Sequence, residues 1–311
     1  MHLQWISTGF TSSPGDVGFL VMSDTPGQGA GRSSADGSIT GEENSNLLVD
    51  CGPSVPDSII RLGVLNQVTD IVVTDISHAG GLARLALIYY IQSRSGTKFK
   101  PTLHLAQRTT GALWEAFMAD DLGPMPTFLG PLDGVRADLW KRIAGEKLRQ
   151  IPGGFGEPRG ASLDDFFRIK EFPPGRESIN LVGLPELKLI RNLGGSNVRY
   201  PSYGGFFRNG GFYFSGNTGR LPPFLKPDIS VFFQYCRVNQ GALNERDVHT
   251  FDVLQEKIPK KFKGKTYLVP IDGMFEELDP REFGFAGDVF PFQEFLFLED
   301  TFHEVPLVLE G

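Results

Sequence analysis

A strand followed by a sharp turn and a helix, between residues 68 and 93, limits the architectures open to this chain. Residues 68–74 form the strongest apolar strand pattern in the sequence, and polar residues follow immediately. After Gly80-Gly81, the apolar spacing of residues 82–93 predicts a helix. A succession of buried strands and helices of this kind is typical of α/β proteins.

The rest of the chain extends this pattern into two α/β halves. Residues 46–50 predict a buried strand, followed by a helix with Ile59, Ile60 and Leu62 on its apolar face. Further strands are predicted at 1–6, 18–22, 101–105, 179–182, 187–190, 211–214, 229–234 and 265–269, and a helix at 248–257. We therefore expect one domain over residues 1–311, built from two halves that pack through their sheets. The segment 23–45, rich in Gly, Ser, Asp and Glu, predicts an exposed loop.

The charge of the chain argues against one large class of partner. The 311 residues include 30 Lys and Arg against 37 Asp and Glu, which gives a net charge of −7. This acidity makes a broad nucleic-acid surface unfavourable. One lysine cluster is interpreted as a solvated surface turn: Lys257, Lys260, Lys261, Lys263 and Lys265.

Hydropathy and cysteine usage predict a cytoplasmic protein. No apolar run approaches the ~18 residues that a membrane-spanning helix needs. The first residues also lack the basic and apolar regions of a secretory leader. Cys51 and Cys236 lie at the ends of apolar runs, so we expect buried thiols rather than a disulfide. No membrane insertion is expected.

Three motifs carry the clearest functional signal. They are residues 46–52 (NLLVDCG), residues 74–82 (TDISHAGGL) and residues 215–218 (SGNT). Taken in order, they resemble motifs of the metallo-β-lactamase superfamily. In active members of that superfamily the second motif reads Thr-His-x-His-x-Asp-His-x-Gly-Gly-Leu, and the third reads Ser-Gly-Asp-Thr.

Weaker similarities extend the match along nearly the whole chain. Residues 162–167, 201–204, 248–251 and 283–287 are similar to motifs of the ribonuclease Z-like and cyclic-nucleotide phosphodiesterase-like branch. The resemblance implies an αβ/βα sandwich of four layers, with the active site at one edge of the two sheets. In active members, histidines and a bridging carboxylate hold two metal ions there, and a metal-bound water is the nucleophile.

This chain departs from the family pattern where the metal ligands are expected. Asp75 and Ser77 occupy the positions of the first two histidines, and the gap before His78 is two residues shorter. Asn217 stands in place of the bridging aspartate, and Pro270 lies where the last histidine is expected. The histidines of the chain, at positions 2, 78, 104, 249 and 303, form no His-x-His pair. We therefore predict that no two-metal site survives and that no cofactor is bound.

The residues of the resulting vestigial cleft are Asp75, Ser77, His78, Asn217, His249, Pro270 and Asp272. We expect a hydrogen bond between Asp75 and His78 that stabilises the shortened loop; the alternative is a weak single metal site shared with Asp272. His249 is interpreted as a structural hydrogen-bonding residue, although histidine can assist proton transfer at this position in the family. Asn217 is expected to cap the turn of the third motif.

Three other features receive structural interpretations. His104 is expected to be a packed strand residue. Gly204-Gly205 lacks the strand-to-helix setting of a phosphate loop, so it is read as a turn. The Phe-rich segment 283–297 is expected to lie mostly in the core, with part of it exposed as a contact surface.

Three functions are compatible with these features. The first is a non-catalytic pseudoenzyme, a scaffold or protein-interaction subunit that pairs with itself or with an active relative. The second is a phosphodiesterase-like hydrolase with a reduced, mononuclear metal site or a metal-free mechanism. Its site residues would be Asp75, His78, His249 and Asp272. The third is a module that binds a small nucleotide-type ligand in the vestigial cleft, through Ser77, Asn217 and Gln234, without turnover. We take the first as the prediction.

Overall fold

The structure, a computed structural model, describes part of the chain in detail. The described ranges are 1–8, 16–23, 45–94, 100–122, 161–175, 177–192, 200–208, 211–216, 221, 229–238, 248–275, 278–298 and 301–305. The predicted loop 23–45 falls outside them except for its two end residues, and Asn217 also falls outside them. No helix within these ranges is both long and apolar enough to cross a bilayer.

Strands and helices alternate along the described ranges. The strands are β1 His2–Thr8, β2 Val17–Met22, β3 Leu47–Val49, β4 Asp70–Val72, β5 Thr102–Ala106, β6 Arg168–Phe172, β7 Ser178–Ile179, β8 Leu187–Asn192, β9 Ser202–Phe207, β10 Phe212–Phe214, β11 Val231–Cys236, β12 Thr266–Pro270, β13 Gly287–Asp288, β14 Glu294–Leu298 and β15 Thr301–Val305. The helices are α1 Val55–Arg61, α2 Leu82–Arg94, α3 Thr110–Phe117, α4 Ala119–Leu122, α5 Leu163–Phe166, α6 Phe251–Lys257 and α7 Lys260–Lys263.

These strands form two mixed sheets. The first has the order β15-β14-β1-β2-β3-β4-β5-β6, and the second has the order β13-β12-β11-β10-β9-β8-β7. Strands β3 to β6 run parallel in the first sheet, and β10 to β13 run parallel in the second. The predicted α/β class is therefore confirmed.

The two sheets pack face to face around an aromatic core. Trp5 and Phe19 of the first sheet meet Phe214 and Phe233 of the second, with ring centroids 4.7 to 5.5 Å apart for the contacts Trp5–Phe19, Trp5–Phe233 and Phe19–Phe214. A second buried cluster lies between the first sheet and the helices α1 to α5, and a third joins α6 to β11 and β12. Helices thus cover the outer faces of both sheets, which gives four layers.

The structure corrects two local expectations and refines a third. Gly204-Gly205 lies inside β9 rather than in a turn. Glycine is required there because a Cβ at Gly204 would come within 2.5 Å of the carbonyl oxygen of Ser215. Ile60, expected on the apolar face of α1, is 47% exposed. The short helix instead buries Val55 and Ile59, which lie one turn apart. Among the Phe-rich residues, Phe295 is fully buried and Phe283 is 36% exposed.

Candidate functional site

The carboxyl ends of β3 and β4 bring Asp50 against the second motif. These strands are parallel neighbours, so the residues that follow them lie at the same edge of the first sheet. The Asp50 carboxylate accepts hydrogen bonds from the backbone N–H of Thr74 at 2.7 Å and from its hydroxyl at 2.6 Å. Asp50 has a φ of 61°, a left-handed conformation that is uncommon for residues with a side chain. Such backbone strain is often found at functional positions.

His78 turns inward and pairs with Asp50. Its Nδ1 lies 3.1 Å from Oδ2 of Asp50, and His78 is only 1% exposed. The carboxylate that contacts the His78 ring therefore comes from Asp50, after the preceding strand. The expected hydrogen bond between Asp75 and His78 is found between backbone atoms, since the His78 N–H donates to the Asp75 carbonyl at 3.0 Å. Burial works to lower the pKa of His78, but the charge and hydrogen bond of Asp50 and the charge of Asp75 together raise it. The buried contact with Asp50 thus favours the protonated form of His78.

Asp75 starts the short 3₁₀ turn Ile76–His78. Its carboxylate accepts hydrogen bonds from the Ser77 backbone N–H at 2.9 Å and from the Ser77 hydroxyl at 2.6 Å, as an N-cap does. Ser77 is exposed, whereas Asp75 is 6% exposed. The two residues that replace the first histidines of the motif therefore bond to each other and shape the turn.

Gly81 retains a structural reason to be glycine. A Cβ at this position would lie 2.2 Å from the carbonyl oxygen of Gly52 and 2.8 Å from Cδ of Pro56. The Gly81 N–H also donates to the Cys51 carbonyl at 2.8 Å. The first and second motifs are therefore packed backbone against backbone, and this contact leaves no room for a side chain at Gly81.

The third motif meets the end of β8 at the second sheet. The Ser215 hydroxyl accepts a hydrogen bond from the Tyr235 N–H at 2.9 Å, and the Asn192 amide donates to the Ser215 carbonyl at 3.2 Å. Gly216 has a φ of 64°, and a Cβ there would lie 2.0 Å from the Tyr203 carbonyl oxygen. Asn192 thus supports this turn.

His249, Pro270 and Asp272 lie around the ends of β11 and β12. The His249 carbonyl accepts from the Arg237 N–H at 3.0 Å, and Oδ1 of Asp272 accepts from the Val238 N–H at 2.7 Å. Pro270 is the buried last residue of β12 and pairs with Cys236. The described residues of the predicted cleft therefore fall into two groups. Asp75, Ser77 and His78 follow β4, whereas His249, Pro270 and Asp272 lie around the Arg237–Val238 segment.

Tyr235 lies between these groups and was not predicted as a site residue. Its ring centroid is 6.0 Å from that of His78, and its side chain is fully buried. Its hydroxyl has no hydrogen-bond partner in the part of the chain that the structure describes. The sequence carried one signal for it. Val231, Phe233 and Tyr235 form the core-facing series of β11, and Tyr235 is the member of that series with a polar hydroxyl.

A dinuclear metal centre does not fit the residues described at this edge. No three side chains of His, Cys, Asp or Glu converge as a ligand group anywhere in the described ranges. His78 is only 1% exposed, and the carboxylates of Asp75 and Asp272 accept from backbone N–H groups. A crevice beside Asp75 has a volume of about 10 Å³, close to the least that one water molecule needs.

Solved structures identify the architecture. The metallo-β-lactamase fold protein YhfI from Bacillus subtilis matches 93% of this chain and 95% of its own, with a TM-score of 0.53 and 10% sequence identity. This chain has the metallo-β-lactamase fold. The resemblance read from its motifs is therefore confirmed at the level of the fold.

Further comparisons give weaker or partial matches. Human tRNase Z, short form (ELAC1), is 12% identical over 96% of this chain and 100% of that chain, with a TM-score of 0.49. A diphosphatase of the PhnP family is 15% identical over 87% of each chain, with a TM-score of 0.48. The sequence model of the anti-Pycsar protein Apyc1 family matches residues 36–127. No curated protein sequence matches this chain significantly.

Proposed function

We propose that this chain is a non-catalytic protein of the metallo-β-lactamase fold. It acts as a scaffold or interaction subunit that pairs with itself or with an active relative. The observation that carries the proposal is the buried contact of His78 with Asp50, at 3.1 Å. The remaining histidine of the motif is only 1% exposed, so its ring is enclosed in the protein interior and is not presented at the surface of the sheet edge.

The surrounding residues support the same proposal. The Asp75 carboxylate accepts a hydrogen bond from the Ser77 N–H, and the Asp272 carboxylate accepts one from the Val238 N–H. Both carboxylates therefore stabilise the local backbone. The Gly81 contact and the Ser215 turn preserve the backbone of the former active edge. A fold maintained in this way can serve as a binding partner, because function resides in sites and surfaces rather than in architecture.

Metal content and hydrolysis test the proposal together. The purified chain is dialysed against trace zinc and manganese, analysed for bound metal, and assayed on bis(p-nitrophenyl) phosphate. We expect no stoichiometric metal and no hydrolysis above the buffer rate. Light scattering, alone and mixed with an active relative, then reports pairing, for which we expect a dimer or a mixed complex. Stoichiometric metal with turnover would refute the proposal, and a monomer that pairs with nothing would refute the scaffold role.

A phosphodiesterase-like hydrolase is the second candidate. The match of residues 36–127 to the Apyc1 family favours it, together with the resemblance to the phosphodiesterase-like branch. Under this alternative, His249 and Asp272 would belong to a reduced site around the Arg237–Val238 segment. Hydrolysis should then be lost in His249→Asn and Asp272→Asn. It should persist in His303→Asn, a control on the distant strand β15.

A further inference from the structure

An apolar patch lies at the start of α6, on the outer side of the second sheet. Phe251, the first residue of the helix, has its ring centroid 5.2 Å from that of Phe283 and 5.7 Å from that of Phe275. Phe283 is 36% exposed, and Met274, next to Phe275 in the chain, is 38% exposed. Neighbouring exposed aromatic and methionine side chains are typical of protein–protein contact surfaces.

Exposed carboxylates accompany this patch. Glu282 immediately precedes Phe283 in the 3₁₀ turn Pro280–Phe283, and Asp252 is the second residue of α6. Both residues are exposed. We call this side of the surface the apolar–acidic end, and its members are Asp252, Met274, Phe275, Glu282 and Phe283.

The other end of α6 is strongly basic. Residues 257–265 contain no Asp or Glu but include five lysines, which we call the basic end: Lys257, Lys260, Lys261, Lys263 and Lys265. None of these lysines forms an ion pair with a residue that the structure describes. Ile258 is 2% exposed, and the Phe262 ring packs on that of Phe232 at 6.1 Å. These two apolar residues fix the lysine segment to the second sheet.

The two ends belong to one continuous surface. The seven residues of α6 span only about 10 Å. Nζ of Lys263 lies 5.1 Å from the centre of the Phe285 ring, and that ring is 5.9 Å from the Phe251 ring. Opposite charges therefore flank a shared aromatic cluster, and the surface has a distinct polarity along α6.

We propose that this surface is a two-fold interface between two copies of the chain. A two-fold axis near the middle of α6 sets the apolar–acidic end of each copy against the basic end of the other, since the same patch meets itself with its ends exchanged. Glu282 then faces the lysines of α7, and Phe283 packs on their methylene stems and ammonium groups. The interface rests on the proposed scaffold function, whose self-pairing it assigns to one surface.

A second copy uses both ends of the surface, whereas other occupants use one. An anionic membrane or a nucleic acid would engage the lysines alone, and it would leave Met274 and Phe283 in water beside carboxylates that repel it. The net charge of −7 opposes the approach of two copies at long range. Salt screens charges beyond about 8 Å at physiological ionic strength, so the opposite charges in direct contact decide the pairing.

Sedimentation velocity of the full chain over a concentration series in physiological salt tests the interface. We expect a reversible dimer. Glu282→Lys and Lys260→Glu should each raise the dissociation constant about tenfold or more, because each reversed charge repels at two symmetry-related places. The chain that carries both substitutions should return to within about threefold of the parent affinity, since the two charges are only exchanged. A variant that misfolds would not be rescued in this way.

Phe283→Ser tests the apolar part of the interface, and two matched controls lie near the other edge of the second sheet. Phe283→Ser should weaken the dimer about tenfold. Lys188→Glu reverses an exposed lysine of β8, and Val182→Ser removes an apolar side chain that is 46% exposed. Both controls should pair like the parent chain.

The outcomes separate this interface from the scaffold function itself. A dimer unaffected by Glu282→Lys, Lys260→Glu and Phe283→Ser would overturn the interface and leave self-pairing intact. A chain that stays monomeric at all concentrations would overturn both. A monomer that sediments with phosphatidylserine vesicles, and no longer does so in Lys260→Glu, would assign the lysines to a membrane surface instead.

Discussion

Nδ1 of His78 lies 3.1 Å from Oδ2 of Asp50, and this contact joins the ends of two neighbouring parallel strands inside the protein. The same carboxylate accepts two hydrogen bonds from Thr74. One buried side chain therefore organises the whole turn that would carry metal ligands in an active relative. Charge and hydrogen bonding within the protein therefore stabilise this turn.

Asp50→Asn should destabilise the chain strongly. The substitution leaves the side-chain size and the tolerance for positive φ nearly unchanged, but it removes the charge that faces His78. Breaking a buried ion pair by neutralising one partner costs about 3 kcal/mol or more. Urea unfolding measures the loss. The control Asp57→Asn breaks the exposed pair with Arg84, and it should change the free energy of unfolding by about 1 kcal/mol at most. Equal effects of the two variants would contradict the buried-pair account.

The contribution of His78 to stability should depend on pH. Because its folded-state pKa is raised, the charged form is favoured by folding. The stabilisation is then complete below the unfolded pKa of about 6.5, and it is lost as pH rises through the raised folded pKa. The difference in unfolding free energy between the parent chain and His78→Gln should therefore shrink from pH 5.5 to pH 9. A difference that stays constant or grows over this range would show that the pair is not ionised.

Gly81→Ala should destabilise the chain by steric overlap. Its new methyl group would meet the Gly52 carbonyl, which cannot move without disturbing the first motif. Overpacking of this kind costs about 1 to 3 kcal/mol. Gly111→Ala is the control, since a Cβ there meets nothing within 4 Å and the residue lies inside α3. That variant should gain about 0.5 to 1 kcal/mol, and thermal unfolding should separate the two in opposite directions.

Ser215→Ala should expose the structural role of the third motif. The substitution leaves the buried Tyr235 N–H without its acceptor at 2.9 Å. An unsatisfied buried donor costs about 1 to 3 kcal/mol. Ser178→Ala, at an exposed position of β7, should change the unfolding free energy by less than about 0.5 kcal/mol. A loss as small as that of the control would show that another group takes over the acceptor role.

The sequence predicts the parts of the fold that depend on local patterns. The strand at 46–50 and the helix at 82–93 are found as Leu47–Val49 and Leu82–Arg94, because apolar spacing there matches the strand or helix period. Gly204 shows the limit of such reasoning. Its glycine serves a close approach to Ser215 across two strands, and nothing in the local sequence separates that use from a turn.

The side-chain partner of His78 could not be predicted from local sequence either, because it comes from a distant part of the chain. Asp75 is three residues away in the chain, whereas Asp50 is 28 residues away. Only the parallel pairing of β3 with β4 brings Asp50 to the turn. The buried Tyr235 hydroxyl likewise stands out only when its lack of a hydrogen-bond partner in the described ranges is known.

The two sheets are also fastened to each other by backbone bonds near both ends of β3 and β4. The Tyr203 N–H donates to the Thr74 carbonyl at 2.9 Å, and the Ser45 N–H donates to the Val182 carbonyl at 2.7 Å. Sliding of one sheet over the other would break both bonds. The relative position of the two sheets is therefore fixed at both ends of this strand pair by the backbone itself, independently of the side chains that fill the core.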